Sequence, residues 1–326
     1  MTHLTRRSTS ASGTTMRAAG LRASGATSRE GGNDMTSADG LVIVDKPAGL
    51  TSHDVVARLR RLTGTRRVGH GGTLDPMATG VLVAGVGKAT RLLGHLALAE
   101  KEYQATIRLG QATSTADAEG EVISGAPAGA LTLDAVRAAA RPLTGEIRQV
   151  PPAVSAVKVA GTRAYRLARS GTTPVLAPRV VTVDSFCISS GRRVDDNLLD
   201  VEATVTCSSG TYIRALARDL GEALGVGGHV TALRRTRAGA YDLSMAHTLD
   251  QLGAELSLIP LARAAADAFG SRQLTGDEAR RLSHGGRLPG GGAAGPGPEA
   301  AFAPDGTLIA LVEEKDGQTC PVAVFV

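Results

Sequence analysis

Asp75 stands in the run Gly69-His70-Gly71-Gly72-Thr73-Leu74-Asp75-Pro76, a carboxylate between glycines and a proline. Pro76 disfavours the helical region for the residue before it and holds Asp75 extended, while the glycines let the backbone approach another molecule closely. Such a loop presents a carboxylate rigidly, as a nucleophile or an electrostatic stabiliser requires. Asp-Pro also begins ordinary turns, and the dipeptide alone favours that plainer reading. A carboxylate that must stay ionised and aimed needs a cation, and the planar fork of Arg214 is the candidate; against it stands the reading of a solvated helix arginine, one turn from Arg218.

Aromatic residues make up 2% of the chain and tryptophan is absent, which leaves Tyr103, Tyr165, Tyr212 and Tyr241 as the main candidates for stacking on an unstacked base. Tyr103 is in phase with the apolar side of its segment and reads equally as core. Tyr212 follows a glycine turn at the start of a helix, where side chains are displayed. His70, among glycines, suits a loop imidazole touching a ligand or a plain surface histidine. The seven histidines show no tight ligand spacing and Cys187, Cys207 and Cys320 form no C-x-x-C pair, so neither a metal site nor a disulfide framework is expected. The stretch Gly85-Val86-Gly87-Lys88-Ala89-Thr90 approaches a phosphate-binding loop, but Leu82 and Ala89 break its pattern and no nucleotide cofactor is expected.

The elements that must position these groups follow from periodicity. Leu41 to Val44 reads as a buried strand closed by Asp45-Lys46-Pro47, and a helix with Ser52 as N-cap follows, with Val55, Val56, Leu59 and Leu62 on one face and Gly64 as its stop. Its other face carries Arg58, Arg60 and Arg61, which with Arg66 and Arg67 make a positive patch just before the Asp75 loop. Val81 to Val86 reads as a second buried strand and Ala89 to Ala99 as a helix. Tyr103 to Leu109 and Leu199 to Cys207 alternate apolar and polar residues, which points to an antiparallel or mixed sheet with one polar face rather than a doubly wound parallel one. Ser208-Ser209-Gly210-Thr211 launches a helix with Ile213, Leu216, Ala217, Leu220 and Leu224 inward. A short helix near Thr162 to Arg169 and the run Arg234, Arg235, Arg237 read as two further basic surfaces.

With 326 residues and 42% hydrophobic content, one large domain and a smaller one are expected. Residues 1–38 have the composition of a disordered tail or of a start placed too early; 39–270 read as the main domain and 271–326 as a small, mostly β appendage. Five arginines against Glu30 and Asp34 put +3 of the net charge of +5 into the first 35 residues, so total charge says little about nucleic acid and local arginine clusters carry that argument. Unpaired cysteines fit a reducing cytoplasm, and no run is long enough to span a membrane.

Taken in order, Gly40 to Pro47, Gly69 to Gly80, Lys101-Glu102-Tyr103, Arg108-Leu109-Gly110, Pro151-Pro152, Ser155-Ala156, Ser209 to Arg214, Gly228-His229-Val230 and Leu233-Arg234-Arg235 resemble the TruB family of tRNA pseudouridine synthases over roughly residues 40 to 240. Val154 departs from the tyrosine that many relatives carry. The resemblance implies an α+β pseudouridine-synthase fold around a mixed, mainly antiparallel sheet, followed by a small PUA-like RNA-binding domain. It implies isomerisation of the uridine at position 55 in the TΨC loop of tRNA, with no cofactor, by a monomer. By the same resemblance Asp75 is the catalytic aspartate, Arg214 its partner and Tyr103 the tyrosine packed on the target base. His70, Tyr212 and Leu233 contact or extrude the nucleotide, and Lys46 supports the site. Breaking N1–C1′ and forming C5–C1′ leaves three routes open: attack at C1′, attack on the base, and a glycal route with Tyr103 near the C2′ proton. A tRNA-folding chaperone with incidental or lost catalysis is the alternative, and an NTPase a weaker third.

Overall fold

The computed structural model describes residues 39–155, 158–159, 162–163, 176–291 and 297–326. The tail expected over 1–38, Tyr165, and Arg166 and Arg169 of the second basic surface lie outside them. Thr162–Arg163 pairs with Lys158–Val159 as a short hairpin rather than opening a helix, since its backbone groups are taken by the neighbouring strand.

The main domain is built on a ten-stranded sheet. Its strands include β1 (Gly40–Lys46), β2 (Val68–Gly71), β3 (Thr79–Val86), β4 (Lys101–Leu109), β5 (Gly145–Gln149), β6 (Arg179–Arg193), β7 (Leu199–Cys207), β8 (Gly228–Ala238) and β9 (Ile259–Pro260), in the order β9-β1-β3-β8-β4-β7-β6-β5, with β2 beside β3. The sheet is mixed and mainly antiparallel, as expected. Its one parallel ladder is the contact of β3 with β8, where Arg234 faces Thr79 and Arg235 faces Gly80. At that seam Gly80 has φ +97°, and a Cβ there would sit 2.2 Å from the Arg235 carbonyl oxygen, so only glycine fits.

Coverage explains the two strand patterns. Helices α1 (Ser52–Thr63), α2 (Leu133–Ala140) and α3 (Ile213–Ala223) cover one face and build a core of Val55, Leu59, Ile107, Val136, Val201, Leu216 and Leu220 with their neighbours. Behind β1 and β3 the other face is covered too: Leu41, Ile43, Val81 and Val83 pack with α4 (Leu261–Ala268) and with C-terminal Phe302, Leu311 and Phe325. Those strands are therefore continuously apolar over 41–44 and 81–86. Strands β4 and β7 are covered once and alternate, Tyr103, Ala105, Ile107 and Leu109 inward.

Three local expectations change. Thr51, not Ser52, caps α1, in a reciprocal box with Asp54; this frees the Ser52 hydroxyl for a longer-range task. The helix expected over 89–99 is a 3₁₀ turn at Gly87–Arg91 followed by one helical turn at Leu93–Leu96, because the carbonyls of Ala97 and Ala99 turn to the Lys101 ammonium. Arg235 does not belong to a basic surface at all: its side chain is fully buried.

The C-terminal segment forms a five-stranded sheet of β10 (Gly270–Gln273), β11 (Leu288–Pro289), β12 (Glu299–Phe302), β13 (Leu308–Lys315) and β14 (Gln318–Val324), ordered β10-β12-β13-β14-β11. Helix α5 (Gly276–Ser283), capped by Thr275 with Glu278, packs Leu282 and Ala279 on it. No described helix is long and apolar enough to cross a membrane.

Candidate active site

Three pins hold the loop between β2 and β3. Ser52 Oγ accepts the Leu74 N–H at 2.9 Å and donates to the Leu74 carbonyl at 3.1 Å, which immobilises the residue before Asp75. Lys46, buried at the end of β1, donates to the carbonyls of Pro47, Leu50 and Pro76 at 2.9, 2.7 and 3.1 Å. Burial lowers its pKa to about 8, with Asp75 pulling the other way. The Ala78 N–H closes the Asp75 turn at 3.1 Å from the Asp75 carbonyl. The glycines before Asp75 serve the fold itself: Gly71 lets the chain pass the Leu93 carbonyl, and Gly72 adopts φ +85°.

Asp75 is in a turn, and it is also paired. Arg214 Nε lies 2.9 Å from Asp75 Oδ2, Nη1 2.8 Å from the Thr115 carbonyl and 3.1 Å from Asp117 Oδ2, and Nη2 2.8 Å from the Val154 carbonyl. The arginine is 3% exposed, which removes the solvated-helix reading, while Asp75 is 37% exposed and open to the cleft beyond. Its second carboxylate, Asp117, is 6% exposed and fixed by Thr115 Oγ1 at 2.5 Å and the Glu119 N–H at 3.1 Å. Val154 serves the arginine through its main-chain carbonyl.

The first turn of α3 carries Arg214. Its preceding residue, Tyr212, is gripped by the Gln149 side-chain amide, which accepts the Tyr212 N–H at 2.8 Å and donates to its carbonyl at 3.1 Å. The cleft so formed holds about 250 Å³ and is lined by the Asp75 loop, Lys101 and Tyr103 of β4, Tyr212 and Arg214, and Leu233 and Arg235 of β8. Burial raises the pKa of both Tyr103 and Tyr212, so each is a neutral phenol at pH 7.

Thus Asp75, Arg214, Tyr103, Tyr212 and Leu233 converge, with Lys46 beneath the loop. His70 is set apart: it lies on β2 outside the cleft lining, edge-on to His53 at 5.3 Å between ring centroids, its Nδ1 buried without a partner. Burial, then the charges of His53 and Arg235, lower its pKa. The arginine patch is thinner than expected, because Arg58 pairs with Asp250 and Arg60 turns to the Val68 carbonyl; Arg61, Arg66 and Arg67 remain exposed. Around Lys88 there is no phosphate cradle, since the Asp39 carboxylate already accepts the Lys88 N–H at 2.5 Å. The sequence gives Asp117 and Gln149 no local signal, places Lys101 only inside a family motif, and reads Arg235 only as part of a basic surface and a motif, not as a group of this cleft.

Family models match in series along the chain: the TruB family pseudouridylate synthase N-terminal domain over residues 60–213, the tRNA pseudouridylate synthase B C-terminal domain over 214–260, and the tRNA pseudouridine synthase II C-terminal domain over 269–326. The tRNA pseudouridine synthase B of Thermobifida fusca is 63% identical over 88% of this chain and 99% of its own length. The protein of the same name from Mycobacterium tuberculosis is 55% identical over 88% and 95%. Among solved structures, a Cbf5-Nop10-Gar1 complex aligns with a TM-score of 0.65 at 27% identity, covering 88% of this chain and 84% of that one. An H/ACA RNP bound to a substrate RNA containing 2′-deoxyuridine aligns with a TM-score of 0.65 at 25% identity over 88% and 85%.

Proposed function

Because the chain belongs to the TruB family of tRNA pseudouridine synthases, we propose that it isomerises the uridine at position 55 in the TΨC loop of tRNA, with Asp75 as the nucleophile and the target base flipped into the cleft. The observation that carries this reading is the pairing of a half-exposed Asp75 with a buried Arg214, which holds one carboxylate oxygen and leaves the group facing the cavity. A carboxylate so placed can take C1′ as the N1–C1′ bond breaks, or stabilise the sugar cation if the bond breaks first. Tyr103 packs on the base as a neutral phenol, and Tyr212 and Leu233, which line the same cleft, contact the extruded nucleotide. His70 meets the RNA beside the cleft, and Arg61, Arg66 and Arg67 hold phosphates. Free cysteines, one of them buried, favour a reducing cytoplasm. The protein acts as a monomer on the isolated stem-loop.

The deciding experiment maps pseudouridine in a tRNA transcript incubated with the purified protein alone. Asp75→Asn is expected to abolish product while tRNA binding persists; full activity in that variant refutes the assignment.

A further inference from the structure

Two buried cations in the cleft take no part in the pairing of Asp75, Asp117 and Arg214. Arg235 is 1% exposed and Lys101 5%, and both line the cavity. Among the described residues neither makes an ion pair. Arg235 gives Nε to the Val81 carbonyl at 2.7 Å and Nη2 to the Gly72 carbonyl at 3.0 Å, and Lys101 gives its ammonium to the carbonyls of Ala97 and Ala99. They approach each other across Gly72, where a Cβ would lie 3.5 Å from Arg235 Nη1 and 3.9 Å from Lys101 Cε. Both flank Tyr103: Arg235 is its partner in the β4–β8 register, and Lys101 is two residues earlier on the same face.

A charge taken out of water without a counter-ion is costly, and a guanidinium cannot shed its proton to escape the cost. Lys101 shows the strain in its own titration, lowered to about 8 by burial and then by Arg235, yet it stays charged at neutral pH. Carbonyl dipoles compensate both groups only in part. Two uncompensated cations at a reacting centre suit an anion that forms there and is absent from the resting protein.

On the reading that the cleft isomerises uridine, we infer that Arg235 and Lys101 stabilise the negative charge that develops on uracil as the glycosidic bond breaks. In that step the N1–C1′ electron pair leaves with the base and spreads from N1 to O2 and O4, while C1′ either bonds to the Asp75 carboxylate or becomes the centre of a sugar cation. When C5 bonds to C1′, the ring loses the C5 proton and N1 regains one, so atoms and electrons balance without a redox partner. Arg235 and Lys101 act on that anion from the wall of the cavity, through their fields. The low dielectric of the site keeps those fields strong.

Single-turnover rates on tRNA transcripts with uridine or 5-fluorouridine at the target, followed by loss of the starting nucleoside, test this. Fluorine withdraws electrons and stabilises the departing uracil anion unaided, so a group with that task matters less for the fluorinated base. Arg235→Gln is expected to slow uridine about 100-fold and 5-fluorouridine about 10-fold or less, with Arg235→Lys recovering most of the rate. Lys101→Gln is expected to show the same contrast at smaller size, and it decides the matter if Arg235→Gln does not fold. Equal slowing of the two substrates, which is what loosening of Gly72 or of residues 97–99 would produce, overturns the inference, as does no slowing. Wild-type protein inert towards uridine overturns the functional reading instead, and is told apart because no variant is needed to see it.

Discussion

Asp117 holds the second side of the Arg214 guanidinium from a constrained position. Ala116 before it has φ +57°, a left-handed conformation that costs a non-glycine residue ~1 kcal/mol or more, and such strain persists where the surroundings over-determine it. Asp117→Asn keeps the shape and removes the charge, so Arg214 is expected to swing its balance towards Asp75 and misaim it. The outcome is a fall in kcat of about 10- to 100-fold with tRNA affinity unchanged, read by single-turnover kinetics against filter binding. Lys46 makes a prediction through pH. Its folded pKa of about 8 lies below the ordinary 10.5, so between those values the unfolded chain binds more protons and stability rises with pH. Wild type is therefore expected to gain up to ~3 kcal/mol over Lys46→Met as pH goes from 8 to 10.5, with no such gain below pH 7; parallel denaturation curves across that range check it.

At the scale of elements, the Asp75 loop is shaped by the start of α1 more than by its own residues. Thr51 performs the capping, and Ser52 is thereby released to clamp Leu74 through two hydrogen bonds. Ser52→Ala leaves the cap intact and the Leu74 amide and carbonyl unsatisfied, at a cost of ~1–3 kcal/mol. The expected signature is a modest drop in Tm with a disproportionate loss of kcat, because the freed segment carries Asp75; an equal loss in Thr51→Ala would show that the cap rather than the clamp matters. Helix α3 is used in a similar way: its apolar stripe anchors it, and its first turn, held by Gln149, delivers Arg214 inward.

At the scale of the molecule, the C-terminal sheet is part of the support for the catalytic half. Phe302, Leu311 and Phe325 share a core with Leu41, Ile43 and Val81, and Arg91 donates to the Val324 carbonyl. The strands behind the Asp75 loop are thus dry on both faces only when the C-terminus is in place. Phe325→Ala, 65 positions past the end of β9 at Pro260, is expected to destabilise the whole cooperative unit by ~3–5 kcal/mol, visible as a single shifted transition in urea. Two separate transitions would mean that the two sheets unfold independently.

Several of these features were legible in the chain alone. The alternation of β4 and the continuous apolar runs of β1 and β3 already distinguish strands covered once from strands covered twice, because burial acts on each residue where it stands. The ordered motifs around Asp75, Tyr103 and Arg214 pointed to a candidate site through their family resemblance, and the fold brings the three residues to one cleft. What only the tertiary structure decided is who meets whom. Arg235 looked like its neighbours Arg234 and Arg237 until the β3–β8 seam turned it inward, Asp117 was one acid among many until Arg214 reached it across 97 positions of chain, and Ser52 was read as a cap because its distant partner Leu74 leaves no mark nearby. Local pattern records a residue's environment, apolar or wet; pairing across the fold is a property of two distant positions at once, and it exists only after the chain has closed.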